Sequence, residues 1–268
     1  MNSRMNGNVV VITGASKGIG AELARQLAAK GAKLVLAARN EKELDAVADE
    51  CRKAGASVVS VKADVAVERD CQTIVAGAIL AFGHLDTLVN NAGVSMWARF
   101  EDIDDMSILA HIMQVNYMGA VYCTHYALPH LREAKGRIVG IASLAGRTGV
   151  PTRTGYSASK HAMTGFFDSL RIELADAGVT VTMIYPGFVS TGIRVNASGP
   201  DGKPAAVNPV DERQVMSPQE CARIIVEAVE TRRREVIMTA RGKMALWLKL
   251  VAPGLVDRIA RRAIETGH

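Results

Sequence analysis

The stretch Asn8-Val9-Val10-Val11-Ile12-Thr13-Gly14-Ala15-Ser16-Lys17-Gly18-Ile19-Gly20 decides how this chain folds. Its β-branched run reads as a buried strand, its glycines as a turn, and the apolar periodicity that continues through Lys30 as a helix. Gly14 allows the tight turn, Gly18 lets the backbone approach a phosphate at the helix N-terminus, and Gly20 permits close packing of helix on strand. Ser16, Lys17 and Ile19 lie among these glycines and join them as candidate nucleotide-binding residues. The spacing G-x-x-x-G-x-G departs from the commoner G-x-G-x-x-G, so the strand before it and the helix after it carry the assignment.

Outward from this turn, residues 33–38 read as a second strand and 41–54 as a second helix. An acidic residue at the end of that strand would bond an adenosine ribose 2′-hydroxyl, and Arg39 stands there instead. Arg39 and Lys17 place cations where a 2′-phosphate would sit, which favours NADP(H) over NAD(H). Residues 57–62 form the third strand, followed by Ala63-Asp64-Val65, where Asp64 could accept from an adenine amino group or cap the helix that starts near Glu68. The fourth strand, 86–90, leads into Asn91-Ala92-Gly93, with Gly93 letting the chain turn beside a ligand.

The alternation continues. Residues 105–134 form a long helical pattern interrupted by Asn116, a poor interior helix residue that predicts a local bend and a freed backbone carbonyl. Residues 136–143 form the fifth strand with Ser143 at its carboxyl end, 156–175 a helix, 179–185 the sixth strand before Pro186-Gly187, 218–231 a helix and 235–238 a short seventh strand. Strands alternating with helices predict an α/β fold in one domain over residues 1–268: a Rossmann-like doubly wound parallel sheet of seven strands with helices on both faces. Its ligand crevice lies outside the carboxyl ends of the strands. The breaker-rich residues 190–217 are expected to form a substrate lid.

Bulk composition agrees. The 268 residues are 49% apolar but only 4% aromatic, so the core must be aliphatic, as in buried parallel strands. No uncharged apolar run of about 18 residues exists and residues 1–8 are short and polar, so neither a spanning helix nor a secretory signal is expected, and the cytoplasm is the expected location. Cys51, Cys71, Cys123 and Cys221 show no C-x-x-C spacing and the histidines no metal-ligand spacing, so free thiols and no metal are expected. Of the net charge of +5, the part from Thr231 onward holds nine Lys/Arg against three Asp/Glu. Aromatic interleaving and a nucleic-acid module are both absent, so no nucleic-acid partner is expected.

Tyr156 and Lys160, four apart at the start of a helical pattern, share one face, so a cation stands beside a phenol. That makes Tyr156 a candidate proton donor and acceptor. Any amphipathic helix can carry such a pair. The order Thr13-Gly14-x-x-x-Gly18-x-Gly20, Asn90-Asn91-Ala92-Gly93, Asn116, Ser143, Tyr156-x-x-x-Lys160, and Pro186-Gly187 with Thr191 is more specific. In these motifs the chain resembles the short-chain dehydrogenases/reductases over about residues 8–240. Ser143-Leu144-Ala145-Gly146, Ser159-Lys160-His161-Ala162, Val195-Asn196-Ala197 and Ala252-Pro253-Gly254-Leu255 are similar to the branch of 11β-hydroxysteroid dehydrogenase type 1 and dehydrogenase/reductase member 7B. Members of that branch carry an N-terminal membrane anchor, which is not expected here.

The resemblance implies a catalytic set of Asn116, Ser143, Tyr156 and Lys160. Tyr156 would donate a proton to the carbonyl oxygen and Ser143 a hydrogen bond, Lys160 would bond the nicotinamide ribose, and Asn116 would hold a water linking Lys160 to solvent. It implies cofactor contacts from the glycine turn and Arg39, from Asp64 and Val65, from Asn91, Ala92 and Gly93, and from Pro186, Gly187, Val189 and Thr191, with Val189 and Thr191 at the carboxamide. The expected activity is NADP(H)-dependent interconversion of a ketone or aldehyde and an alcohol. A 3-oxoacyl-thioester reductase and a non-catalytic dinucleotide-binding sensor or scaffold are the alternatives. Met96, Trp97, Leu144, Val150 and Phe188 are the candidate substrate pocket and favour an apolar carbonyl compound.

A homodimer or homotetramer is also implied, through helices 105–134 and 156–175, whose outer faces are expected to carry Met113, Tyr117, Phe166 and Phe167. Finally, residues 243–265 mix Met244, Leu246, Trp247, Leu248, Leu250, Leu255, Val256 and Ile259 with Lys243, Lys249, Arg258, Arg261 and Arg262. This tail suits weak peripheral contact with an anionic membrane. Packing over the substrate pocket or against a neighbouring subunit is the stronger expectation, because Pro253-Gly254 interrupts the stripe.

Overall fold

β1 (Val9–Thr13) is buried along its whole length, and it pairs in parallel with β2 (Lys33–Ala38) on one side and β4 (Thr87–Asn90) on the other. A strand with two neighbours and no solvent face needs apolar side chains on both sides, which its Val-Val-Val-Ile run supplies. Around it, with β3 (Val58–Lys62), β5 (Arg137–Ile141), β6 (Thr180–Tyr185) and β7 (Glu235–Ile237), the sheet runs β3-β2-β1-β4-β5-β6-β7, parallel throughout. The computed structural model describes residues 4–193, 196–205 and 215–266. The expected lid at 190–217 therefore lies partly outside the described residues.

Alternate side chains of one strand feed two different cores. Val10, Ile12, Leu34 and Leu36 pack beneath α1 (Gly18–Ala29), α2 (Glu41–Lys53) and α7 (Pro218–Glu230). Val9, Val11, Val35 and Ala37 face α3 (Glu68–Phe82), α5 (Gly119–Glu133) and α6 (Thr154–Glu173). Chain order reverses direction across the sheet between β1 and β4, so the crevice opens beyond their carboxyl ends.

The bend expected at Asn116 is a π-helical turn, Gln114–Met118, between α4 (Ser107–Met113) and α5. Phe167, expected on an outer face, is instead fully buried, because α6 turns it onto the sheet beside Gly140 and Met183. Met113, Tyr117 and Phe166 are half-buried, and the Tyr117 and Phe166 rings meet edge-on at 6.1 Å.

The tail is two helices, α8 (Ala240–Val251) and α9 (Pro253–Thr266), divided at Ala252 because Pro253 can open a helix but not continue one. Among the described residues no helix is long and apolar enough to cross a membrane. α8 lies over the loop that follows β5: a Cβ on Gly242 would come within 2.8 Å of Leu144, and Lys249 Nζ donates to the Arg147 carbonyl at 2.9 Å.

Candidate active site

The glycine turn is held by its neighbour strand. Thr13 Oγ1 accepts from the amides of Asn91 and Ala92 at 3.0 and 3.1 Å, and Asn91 Nδ2 donates to the carbonyls of Thr13 and Gly14 at 2.9 and 3.1 Å. Gly14, at φ +66°, leaves so little room that a Cβ would lie 2.8 Å from Ala92 Cα. Gly20 sits behind, against the Gly14 carbonyl, and so shapes the turn without lining the crevice. Lys17 at the N-cap of α1 makes no side-chain cap and the first turn holds no acidic residue, so the first amides of the helix are left for an anion.

A cavity of about 590 Å³ runs from this turn across the carboxyl ends of the strands. Gly14, Ser16, Lys17, Gly18, Ile19, Arg39, Asp64 and Val65 line one end, and Asn91, Ala92 and Gly93 the middle. Ser143, Tyr156, Lys160, Pro186, Gly187 and Val189 line the other, while Thr191 lines the cavity beside the glycine turn, its Cγ2 3.2 Å from where a Cβ on Gly18 would lie. Gly residues that a Cβ would jam into the cavity wall, with bare helix amides beneath, fit a dinucleotide with its pyrophosphate at the turn.

Beside the carboxyl ends of β2 and β3 the two foreseen cations each face a carboxylate. Lys17 Nζ lies 3.6 Å from Glu43, which sequence reasoning passed over, and Arg39 Nη1 lies 3.9 Å from Asp64. Asp64 does not cap α3: its Oδ1 accepts from the Ala66 amide at 3.0 Å, closing a local turn, and the α3 N-cap is Val67 without a side-chain bond.

At the opposite end Tyr156 and Lys160 are almost wholly buried, 6% and 3% exposed, in the first turns of α6. Lys160 Nζ donates to the Ile141 carbonyl at 2.9 Å and lies 5.9 Å from the centre of the Tyr156 ring. Burial pushes its ammonium down from the usual 10.5 to about 8. Ser143, at the β5 carboxyl end, accepts from the Ala145 amide at 3.2 Å through Oγ, which leaves its O–H directed elsewhere. Asn116 is behind the cavity wall: Oδ1 accepts from Val94 N at 2.8 Å, and Nδ2 donates to Val94 O and to Ser159 Oγ at 3.0 and 2.9 Å. Asn116 and Lys160 converge on Gly93, where a Cβ would sit 3.1 Å from Asn116 Oδ1 and 3.6 Å from Lys160 Nζ.

Of the five residues expected in a substrate pocket, only Phe188 lines the cavity. Met96 and Val150 pack behind Tyr156 in a separate apolar cluster, Trp97 is buried beneath Arg153, and Leu144 is turned toward Gly242 of α8. Arg153 was missed. It lines the cavity with 6% of its surface exposed, yet in sequence it is one more loop cation ahead of a helix.

A parallel sheet that reverses at β1/β4, with a glycine turn at the switch and a phenol–ammonium pair at the next strand end, defines a dinucleotide-binding α/β protein of the oxidoreductase type. The sequence profile described as short chain dehydrogenase matches residues 8–201, and the chain belongs to that family. It is 41% identical over 259 residues to 11-beta-hydroxysteroid dehydrogenase-like 4A of Arabidopsis thaliana, covering 95% of this chain and 84% of the relative. To dehydrogenase/reductase SDR family member 7B of Mus musculus it is 39% identical, covering 94% and 79%. A short chain dehydrogenase/reductase from Burkholderia phymatum, solved in complex with NAD, superposes with a TM-score of 0.82 at 29% identity, covering 94% of this chain and 96% of that one.

Proposed function

We propose that this protein is an NADP(H)-dependent oxidoreductase that interconverts an apolar ketone or aldehyde and the corresponding alcohol. The observation that supports it most is that Ser143, Tyr156 and Lys160 line the same cavity as the glycine turn. A cofactor seated with its pyrophosphate on the turn would supply or take up the hydride at this end. Tyr156 gives a proton to the carbonyl oxygen in reduction and takes one from the alcohol in oxidation. Ser143, whose Oγ already accepts from Ala145, donates its O–H to the same oxygen and opposes the charge that grows there. Lys160 holds the ribose, Asn116 fixes the Val94 backbone and a water behind Lys160, and Pro186, Gly187 and Val189 bound the nicotinamide. Arg39 and Lys17 favour a 2′-phosphate, for which each would exchange its present carboxylate neighbour.

Several features support the remaining parts of this account. Half-buried Tyr117 and Phe166 fit a homodimer or homotetramer formed through α5 and α6, and sedimentation at varied concentration tests it. We place the protein in the cytoplasm, with its tail packing over the cavity mouth or against a second copy of the chain, or making weak peripheral contact with an anionic bilayer; Trp247 is 75% and Val251 80% exposed, and residues 239–262 hold Arg241, Lys243, Lys249, Arg258, Arg261 and Arg262 against Asp257. A turnover screen of ketones, steroids and acyl thioesters with NADPH and NADH tests the activity. Reduction of apolar ketones with NADPH supports the proposal. Exclusive use of carrier-bound 3-oxoacyl thioesters, or cofactor binding without turnover of any substrate, would replace it with one of the alternatives.

A further inference from the structure

The part of the cavity beside β2 and β3 carries a carboxylate for which the proposed reaction has no role. Glu43 stands in the first turn of α2 and lines the cavity with Lys17, Arg39, Asn40 and Asp64. Its Oε2 lies 3.6 Å from Lys17 Nζ, is closed off from water and accepts no hydrogen bond. A carboxylate oxygen that gives up water without gaining a donor costs stability, so folding alone supplies no reason for it.

The structural duties that would account for an acidic residue here are met by others or are slight. Asn40 caps α2 by accepting from the Glu43 amide at 3.2 Å, and Glu41 brings a second negative charge to the same helix start. The ion pair with Lys17 joins side chains that are 61% and 43% exposed, a setting in which such pairs add little. Asp64, the other carboxylate of the lining, is built into a turn: Oδ1 accepts from the Ala66 amide at 3.0 Å, and Oδ2 faces Arg39 at 3.9 Å. Glu43 Oε2 has no such bond, which leaves it open to a ligand.

A carboxylate beside Lys17 and Arg39 acts in opposite senses on the two forms of a nicotinamide dinucleotide. From a ribose 2′-hydroxyl it gains the donor that Oε2 lacks. Toward a 2′-phosphate drawn to the two cations it is a like charge at short range, which those cations offset only in part. We propose that Glu43 sets how far this protein separates NADPH from NADH, accepting from a 2′-hydroxyl and opposing a 2′-phosphate. Lys17 and Arg39 make the phosphate the preferred form, and Glu43 limits by how much. The inference deepens the proposed cofactor reading and rests on it, so its test begins with adenylate fragments, whose binding needs no turnover.

Binding of adenosine 2′,5′-bisphosphate and of adenosine 5′-monophosphate to the cofactor-free full chain is measured by calorimetry in wild type, Glu43→Gln and Glu43→Ala. Both variants should bind the bisphosphate about fivefold more tightly, neither should bind the monophosphate more tightly, and the gain should shrink as salt rises. Two variants are compared because a glutamine amide can itself donate to a phosphate, whereas alanine only removes the charge. Thermal unfolding identifies a variant whose α2 has come loose, and the other then carries the comparison. Bisphosphate affinity within about twofold of wild type in a folded variant would overturn the proposal. Weaker binding would overturn it too, since that is the mark of a carboxylate that places Lys17 for the phosphate.

The whole cofactors extend the test: the Kd for NADH divided by that for NADPH should rise about fivefold in Glu43→Gln, and an unchanged ratio would overturn the proposal. A wild type that binds the bisphosphate no more tightly than the monophosphate would sink the NADP(H) reading, while a gain in both variants would still sustain the role of Glu43. A wild-type preference for the bisphosphate that neither variant alters would do the reverse.

Discussion

Replacing Lys160 with Met should stabilise the cofactor-free protein at neutral pH and lose that advantage in alkali. The ammonium is buried, donates to the Ile141 carbonyl, and lies 3.9 Å from Met163 Sδ, an apolar neighbour that offers no counter-charge. Burial lowers it from 10.5 to about 8. That gap corresponds to roughly 3 kcal/mol of disfavoured charge in the folded state. Below about pH 8 both folded and unfolded chains carry the proton, so the wild type bears the whole cost. Between about 8 and 10.5 the unfolded chain binds a proton that the folded one does not, and wild-type stability rises with pH. Methionine has a similar volume and removes the charge, but it leaves the Ile141 carbonyl without its donor, a loss of about 1 kcal/mol. The variant should therefore exceed wild type by about 2 kcal/mol near pH 7 and fall below it by about 1 kcal/mol above pH 10.5. Urea unfolding of both proteins without cofactor, at pH values spanning that window, measures the difference. A difference independent of pH, or one that grows with pH, would refute the argument that burial without a counter-charge sets the state of Lys160.

Arg39→Ala should erase most of an at least tenfold preference for NADPH in kcat/KM and leave the NADH value unchanged, because about 1.4 kcal/mol is a modest loss for charge-assisted bonds to a phosphate. Equal efficiency of the two cofactors in wild type would count against the assignment. Gly20→Ala places a methyl 2.5 Å from Asn91 Nδ2 and against the Gly14 carbonyl, so α1 must move off β1. A loss of about 3 kcal/mol in thermal unfolding, with weakened cofactor binding, is expected, and a wild-type Tm would show that the turn is looser than described. Vesicles containing phosphatidylserine should co-sediment the protein at low salt, release it as salt rises, and fail to bind a chain truncated after Met238. Absence of binding at low salt would leave α8 and α9 to another copy of the chain or to the cavity mouth.

The fold was legible because burial imposes a pattern. Val9-Val10-Val11-Ile12, β-branched throughout and followed at once by a glycine turn, reads as a strand with two covered faces, and Gly14, Gly18 and Gly20 mark backbone approaches that a Cβ would block. The π turn at Asn116 was foreseeable from one ill-suited residue in a helical run. What lay hidden depends on tertiary direction rather than local type. Helical spacing could not tell that Phe167 is buried against the sheet while Phe166 stays half-buried at the edge of the same core, nor that Met96 and Val150 pack with Tyr156 in a cluster apart from the cavity lining. Glu43 and Arg153 were invisible for a related reason: a charged residue near a helix start reads as solvated until the fold brings Lys17 to one and three aromatic rings to the other.

The most direct test of the account is Tyr156→Phe, which keeps the ring in its apolar cluster and removes the one hydroxyl assigned to proton transfer. Cofactor affinity, measured by quenching of intrinsic fluorescence with NADPH, and turnover of the best ketone from the screen are compared in the same preparation. The account predicts NADPH binding within about twofold of wild type, with kcat lower by a factor of about a thousand or more. Turnover at a wild-type rate in the Phe variant would contradict it.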